Sequence, residues 1–208
     1  MIGRSWGGEE RVLELLQSKK VPSELIAPVV SGVSGAWRKS VRDKAAGYLP
    51  NNEKATATKK TFTMQELSPL AGDAEQGKTI FASICATCHR VINTGNDFGP
   101  ALSEIGTKLP KESLLESILH PSAGIGFGYE GWELSMKDGS MLSGIIASKT
   151  ETDIDLKLPG GARKAVKTGE VKRLTQIKES MMPEGLHENL SAQDMANLLE
   201  YLSGLRKK

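Results

Sequence analysis

The chain has 208 residues, of which 38% are hydrophobic and 25% are charged, and its formal net charge is +2. This length fits one or two domains, and the composition is typical of a folded globular protein. The near balance of charge gives no sign of a nucleic-acid partner, and no apolar run reaches the roughly 18 residues of a membrane span. With only two cysteines, the chain cannot form a disulfide scaffold, a four-cysteine zinc site or a four-thiolate iron–sulfur cluster.

The beginning of the chain is more basic than the rest. Residues 1–72 carry 11 basic and 7 acidic side chains, whereas residues 73–208 carry 16 and 18, which favours a boundary near residue 72. Residues 1–49 are predicted to form two or three short helices, the third near 41–46. They are either the last unit of an α-solenoid or an extension that packs on the main domain. Residues 50–72 are polar and irregular, which predicts a linker.

The pattern becomes clearer after residue 72. Asp73 is a suitable N-cap for a helix that runs through Cys88. A loop is predicted over residues 93–99, followed by a helix near residues 111–119. This second helix should end at Pro121, because proline cannot continue a helix interior.

Residues 129–178 change from helical to alternating periodicity. Asp138-Gly139 is a hairpin signal between two alternating runs, and four to five short strands are predicted in all. We place this β insertion at about residues 127–178 and expect an antiparallel meander or an SH3-like barrel. A final helix is predicted to start at Ser191, which has capping-box spacing to Asp194.

Both cysteines fall in one window, Cys85-Ala-Thr-Cys88-His89. Cys-x-x-Cys-His is the pattern of covalent haem attachment. Residues three apart lie on one face of a helix, so two thiols can add to the two vinyl groups of one porphyrin edge. The following histidine can then bind the iron. The sequence therefore predicts haem c attached through Cys85 and Cys88, with His89 as proximal ligand.

Three other interpretations of the cysteine pair are weaker. A thioredoxin-like dithiol sits at a helix start after a strand, whereas this motif comes late in a predicted helix. A zinc site would need His120 or His187 as a further ligand, at a spacing unlike that of structural zinc sites. Two inert buried cysteines would not need the adjacent histidine.

The attachment motif and four further motifs occur in the same order as in c-type cytochromes. The sequence resembles this family over residues 73–126 and 179–205. The four further motifs are Gly77-x-x-x-Phe81, Gly99-Pro100-x-Leu102, Met182-Pro183 and Leu198-x-x-Tyr201-Leu202. The resemblance implies that the glycine of the first helix lets the last helix approach closely. It also implies that the proline carbonyl accepts the N–H of the proximal imidazole and that the methionine is the distal ligand. The residues expected to hold the haem are Cys85, Cys88, His89, Pro100, Leu102 and Met182, with His89 and Met182 on the iron.

The resemblance implies a mainly α fold. We expect a cytochrome c-like helical haem domain over residues 73–208, with the antiparallel β insertion at about 127–178. Without that insertion 84 residues remain, the length of a small monohaem cytochrome. The motif set, including Ser-x-Met-Pro-Glu-Gly-Leu, is similar to a haem-binding domain of Planctomycetes and Verrucomicrobia. That domain usually ends long secreted proteins, behind a sugar dehydrogenase-like propeller and helical repeats, so the chain is expected to be a fragment.

The distal ligand has several candidates. Pro183 biases Met182 toward an extended conformation, as a strap over a haem face requires. Met181 is the alternative, and its other role is apolar packing. His187 could bind the iron, but we favour an exposed loop histidine, and we expect His120 to cap a helix end. Two aromatic residues of the insertion, Tyr129 and Trp132, are expected to pack within it rather than to cover a haem edge.

A six-coordinate haem has no open position for a substrate, which indicates electron transfer rather than catalysis. The expected donor is a dehydrogenase and the expected acceptor is a soluble cytochrome or an oxidase. The alternative is a haem enzyme or a sensor of peroxide or gas, with a displaceable Met182 and with His187 or Glu184 as acid–base group. As a third hypothesis, the β insertion is a docking module. Haem c is attached outside the cytoplasm, so a periplasmic or extracellular location is expected, although the first 17 residues lack a secretory signal.

Overall fold

The structure, a computed structural model, describes residues 8–18, 20–22, 25–33, 41, 44–45, 47–48 and 61–207. The chain divides into two units, residues 1–58 and residues 59–208. In the first unit, helices α1 (Gly8–Gln17) and α2 (Ile26–Val33) are described. Their small core consists of Leu13, Leu16, Val30, Val33 and Ala45.

The helical prediction for the first unit is therefore confirmed for two helices. The third, predicted near residues 41–46, lies partly outside the described residues, although Val41 and Ala45 are helical and buried. That this unit is the end of a solenoid remains a prediction.

The second unit begins with a short helix inside the predicted linker, α3 (Met64–Leu67). The Thr63 hydroxyl accepts the backbone N–H of Glu66, and the Glu66 carboxylate accepts the backbone N–H of Thr63. Phe62 and Leu67 are buried in the main helical core. The prediction of a linker is thus wrong for residues 61–72, because a capping box and two core side chains fix this stretch. Residues 50–60 lie outside the described part of the chain.

The helix that carries the attachment motif begins as predicted. The Asp73 carboxylate accepts the backbone N–H groups of Glu75 and Gln76 and so caps α4 (Ala74–Ile80). The regular helix ends earlier than predicted, because a π-helical turn, Phe81–Cys85, follows it. Wide turns of this kind are frequent at functional sites.

The last helix, α7 (Ala192–Gly204), starts at the predicted Ser191–Asp194 capping box. It crosses α4 at Gly77, where an added Cβ would lie 2.0 Å from the carbonyl oxygen of Asn197. One turn further on, the Phe81 and Tyr201 rings lie 5.6 Å apart. The close approach of the first and last helices is therefore confirmed.

Two short strands and two helices follow the attachment motif along the chain. A short hairpin of β1 (Arg90–Val91) and β2 (Thr94–Gly95) follows the motif, and only β2 falls within the loop predicted over residues 93–99. Helix α5 (Ile105–Lys108) and helix α6 (Lys111–Leu119) come next, and α6 has the predicted bounds.

The insertion forms one antiparallel sheet. Its strands are β3 (Gly131–Met136), β4 (Met141–Lys149), β5 (Asp153–Lys157), β6 (Arg163–Lys167) and β7 (Val171–Gln176), in the order β6-β5-β4-β3-β7. The first four strands are a meander, and the last returns through a 3-10 turn to pair with β3. The predicted strands are confirmed, but a five-stranded sheet makes the expectation of a mainly α fold correct only in part.

The helical part and the sheet have separate apolar cores. The buried side chains of the sheet core are Leu134, Met136, Ile154, Leu156 and Val166. Trp132 packs against this core, as expected for a residue within the insertion. The helical core is formed by residues of α3, α6 and α7 with Phe81 and Val91.

Candidate functional site

An apolar cavity of about 220 Å³ lies in the second unit. This cavity is lined by residues from the attachment motif, the loop that follows it, α5, α6, strand β4 and the segment before α7. The predicted site residues that line it are Cys85, Cys88, His89, Pro100, Leu102 and Met182. The fold therefore brings together residues that are 97 positions apart in the sequence.

The π-helical turn positions the attachment motif. The backbone N–H of Ala86 donates to the carbonyl of Phe81, five residues back, at 2.9 Å. The N–H groups of Cys88 and His89 both donate to the Cys85 carbonyl, at 3.1 and 2.9 Å. The tight turn after Cys85 thus directs both thiols and the imidazole toward one cavity.

The two cysteines are not joined to each other, and both are partly buried. Burial, with a smaller contribution from the neighbouring Cys88, raises the pKa of Cys85 to about 12. Burial also raises the pKa of Cys88, against a hydrogen bond from the Gly160 backbone that lowers it. Both sulfurs are therefore uncharged at neutral pH, as an apolar ligand pocket requires.

His89 is held in one tautomer. Its Nδ1 lies 2.8 Å from the carbonyl oxygen of Pro100, and since a carbonyl only accepts, Nδ1 carries the proton. Nε2 is then the nitrogen left with a lone pair for a metal. Burial lowers the pKa of His89, although the hydrogen bond to Pro100 raises it, so the imidazole is neutral at pH 7. A neutral imidazole is the form that binds iron.

The loop after the motif packs closely on the imidazole. A Cβ on Gly99 would lie 2.8 Å from His89 Cε1, so only glycine leaves room for the ring at this position. The N–H groups of Phe98 and Gly99 donate to the Cys88 carbonyl, at 3.1 and 2.7 Å. These bonds fix the Pro100 carbonyl in its place beside the ring.

The two adjacent methionines of the distal segment have different surroundings. Both line the cavity, but Met181 is only 4% exposed, and a Cβ on Gly131 would lie 2.8 Å from its sulfur. Met181 therefore packs against the start of β3, whereas Met182 is half-buried. The Met182 N–H donates to the Ser180 hydroxyl. The Ser180 N–H in turn donates to the Ser122 hydroxyl at 3.0 Å, which ties the segment to the end of α6.

The histidines considered as alternatives lie elsewhere. His187 is 6% exposed, with its ring 6.2 Å from that of Phe62, so the expectation of an exposed loop histidine is wrong. His120 is the C-cap of α6, as expected. Within the described residues, the cavity lining includes neither of them, nor Glu184. The described part of the chain also contains no cluster of three His, Cys, Asp or Glu side chains suited to a bare metal ion, so a zinc site gains no support.

Three side chains near or within the insertion line the cavity although the sequence did not predict them as site residues. Ile145 of β4, together with Ile125 and Tyr129 before β3, lines the cavity. The expectation that Tyr129 packs within the insertion is therefore wrong. No local signal marks these residues, since their contacts with the cavity depend on how the sheet folds back onto the helices.

These features fit a covalently bound haem. The cavity is lined almost entirely by apolar side chains, two thiols lie on one side of it, and a neutral imidazole has its Nε2 available. Residues 74–155 match the cytochrome c family model. This match supports a cytochrome c domain in that part of the chain. Its cofactor is covalent haem c, and the cysteines at 85 and 88 fit the attachment motif.

The match supports a c-type cytochrome and covers the attachment motif, strands β3 and β4 and the start of β5. It ends before Met182 and the last helix. No curated protein sequence matches the chain. Cytochrome c domains are generally secreted or periplasmic, and among the described residues no helix has the length and apolar character of a membrane span.

Proposed function

We propose that this protein transfers electrons through a haem c whose iron is bound by His89 and Met182. The observation that carries the proposal is that both side chains line the same apolar cavity as the two cysteines. The cytochrome c match supports haem-based electron transfer in general. The ligand pair and the redox partners belong to the proposal.

The bound haem supplies an iron that alternates between the ferric and ferrous states. The residues of the chain keep the geometry constant while the charge changes. Pro100 holds the Nδ1 proton of His89, so no proton has to move at this ligand when the electron does. The hydrogen bonds from Met182 to Ser180 and from Ser180 to Ser122 hold the distal segment.

Met182 suits the role of distal ligand better than Met181. The sulfur of Met181 lies against Gly131, and its side chain is almost fully buried. Met182 is only partly buried, lines the cavity and precedes Pro183, which favours an extended backbone. A thioether ligand stabilises ferrous iron, so we expect a higher potential than a pair of histidines would give.

The alternative, a haem enzyme or sensor, has less support. Peroxide chemistry uses an acid–base group on the distal side, and His89 is the only histidine or carboxylate residue among the described lining residues. The expected role is therefore that of an electron-transfer module, alone or within a larger dehydrogenase. The proposed donor is a dehydrogenase, such as a sugar-type enzyme, and the proposed acceptor is a soluble cytochrome or an oxidase. The proposed location is periplasmic or extracellular.

Absorption spectra of the oxidised and reduced protein, produced with the haem-ligation machinery, test the ligand pair. We expect the weak far-red band of methionine–ferric haem in the unaltered protein and in Met181→Ala, and its loss in Met182→Ala. Rapid binding of carbon monoxide to the reduced iron should appear only in Met182→Ala. If the unaltered protein binds carbon monoxide rapidly or shows a high-spin spectrum, the enzyme or sensor function is favoured instead.

A further inference from the structure

The turn between β5 and β6 has a backbone that requires glycine. The Leu158 N–H donates to the Ala162 carbonyl at 2.7 Å, and the Gly161 N–H donates to the Leu158 carbonyl at 3.0 Å. Gly160 and Gly161 both have positive φ, +85° and +84°. Residues with a Cβ rarely adopt positive φ, and two successive residues with positive φ therefore favour glycine at both positions. We call residues 158–162 the β5–β6 turn.

This turn lies against the attachment motif, although about 70 residues separate them in the sequence. A Cβ on Gly161 would lie 3.1 Å from the Cβ of Asn96. Asn96 in turn binds the motif, since its backbone N–H donates to the Ala86 carbonyl and its side-chain amide donates to the Thr87 carbonyl. Ala86 and Thr87 are the two residues between the cysteines.

Two further contacts hold the turn in this position. The ammonium of Lys157, the last residue of β5, lies 3.0 Å from a carboxylate oxygen of Asp97. The Lys157 side chain is only 15% exposed, whereas that of Asp97 is 49% exposed, so the ammonium side of this ion pair is shielded from solvent. The Gly160 backbone also lies near Cys88, where it lowers the pKa of the thiol against the effect of burial. Contacts on both sides of the turn therefore meet the segment that is joined to the haem.

We propose that the β5–β6 turn covers the side of the site at which haem is attached and keeps the reduction potential high by excluding water there. The proposal rests on haem c bound through Cys88 in an electron-transfer protein. Water stabilises the more charged ferric site more than the ferrous site, so a drier environment favours the ferrous state. In this arrangement the insertion is part of the haem environment and not a separate docking module.

The test compares Gly161→Val with Gly139→Val in the haem-loaded full chain. Both glycines have positive φ, +84° and +88°, so both substitutions strain a sheet turn in the same way and leave the charge unchanged. They differ in their surroundings, because a Cβ on Gly139 meets nothing within 4 Å. The measurements are the reduction potential by redox titration and hydrogen exchange at the Asn96 amide, whose N–H donates to the Ala86 carbonyl.

We expect Gly161→Val alone to lower the potential and to speed exchange at the Asn96 amide, while the methionine–ferric band stays. An unchanged potential in Gly161→Val overturns the proposal, whether exchange speeds up or not. An equal fall in both variants also overturns it, since the cause would then be general weakening of the sheet.

If Gly161→Val does not fold, removal of the ion pair decides the matter. The double variant Lys157→Gln/Asp97→Asn keeps the net charge, and Lys167→Gln/Asp153→Asn is its control, because that pair joins β6 and β5 at the far end of the hairpin. Only the first double variant should lower the potential, and equal potentials overturn the proposal. Absence of covalent haem from the unaltered protein is a different result, which contradicts the proposed function itself.

Discussion

The helical part of the second unit and its sheet differ in charge and in what each contributes to the site. Residues 61–130 and 179–207, the helical part, carry 6 basic and 13 acidic side chains, whereas residues 131–178, the sheet, carry 9 and 6. The Lys157–Asp97 ion pair joins the two. The helical part supplies the attachment motif and the proposed ligands, and the sheet supplies a wall residue, Ile145, and the β5–β6 turn. The haem-binding side chains of the site therefore come from local motifs, while the side chains packed around them come from distant segments.

The largest expected effect comes from preventing haem attachment. In Cys85→Ala/Cys88→Ala we expect the second unit to be largely unfolded, because bound haem would fill the apolar cavity that residues of α5, α6 and α7 line. Thermal unfolding followed by circular dichroism checks this. A cooperative melt without haem would contradict it and would show that the helical part is stable without its cofactor.

The next two variants distinguish the contribution of the sheet to the cavity lining from its contribution to stability. Ile145→Ala and Ile154→Ala each remove a side chain that is at most 3% exposed, so each should cost about 2–5 kcal/mol of unfolding free energy. Only Ile145 lines the cavity, so only Ile145→Ala should alter the haem spectrum. Denaturant unfolding and absorption spectra of both variants check this. Equal spectra would mean that the sheet does not influence the haem.

A glycine substitution tests the packing within the helical part. Gly77→Ala places a Cβ 2.0 Å from a backbone carbonyl of α7, which should cost about 1–3 kcal/mol as the helices separate. Gly204→Ala is the control, because this glycine also lies in a helix and nothing is within 4 Å of its added Cβ. The midpoint of denaturant unfolding should fall in Gly77→Ala and hold or rise in the control.

The smallest expected effect concerns the start of the helical part. Thr63→Ala removes the capping box of α3 and should cost about 1 kcal/mol. Since Phe62 and Leu67 flank this cap and are buried, global unfolding should report the loss. An unchanged midpoint would mean that residues 61–72 unfold separately, as the linker prediction implied.

Local signals explain what could be predicted from the sequence. The attachment motif, the Asp73 cap and the Ser191–Asp194 box each act within a few residues, and strand periodicity marked the insertion. The spacing of Thr63 and Glu66 also predicts a capping box, but the polar residues around it favour a linker. Such signals depend on the backbone nearby and need no knowledge of the fold.

Other features depend on contacts between distant segments. The burial of His187 beside Phe62 and the position of Tyr129 at the cavity follow from packing across the whole unit. The distinction between Met181 and Met182 likewise needs Gly131, about 50 residues away. Periodicity predicts which element forms, and it does not specify which neighbour covers a given side chain.

The position of the β5–β6 turn has a consequence for maturation. A ligation enzyme must reach both thiols, and in the folded chain Gly160 lies at Cys88 while Gly161 lies at Asn96. Haem addition before the sheet docks thus avoids this obstruction, and a sheet that folded too early would delay the holoprotein.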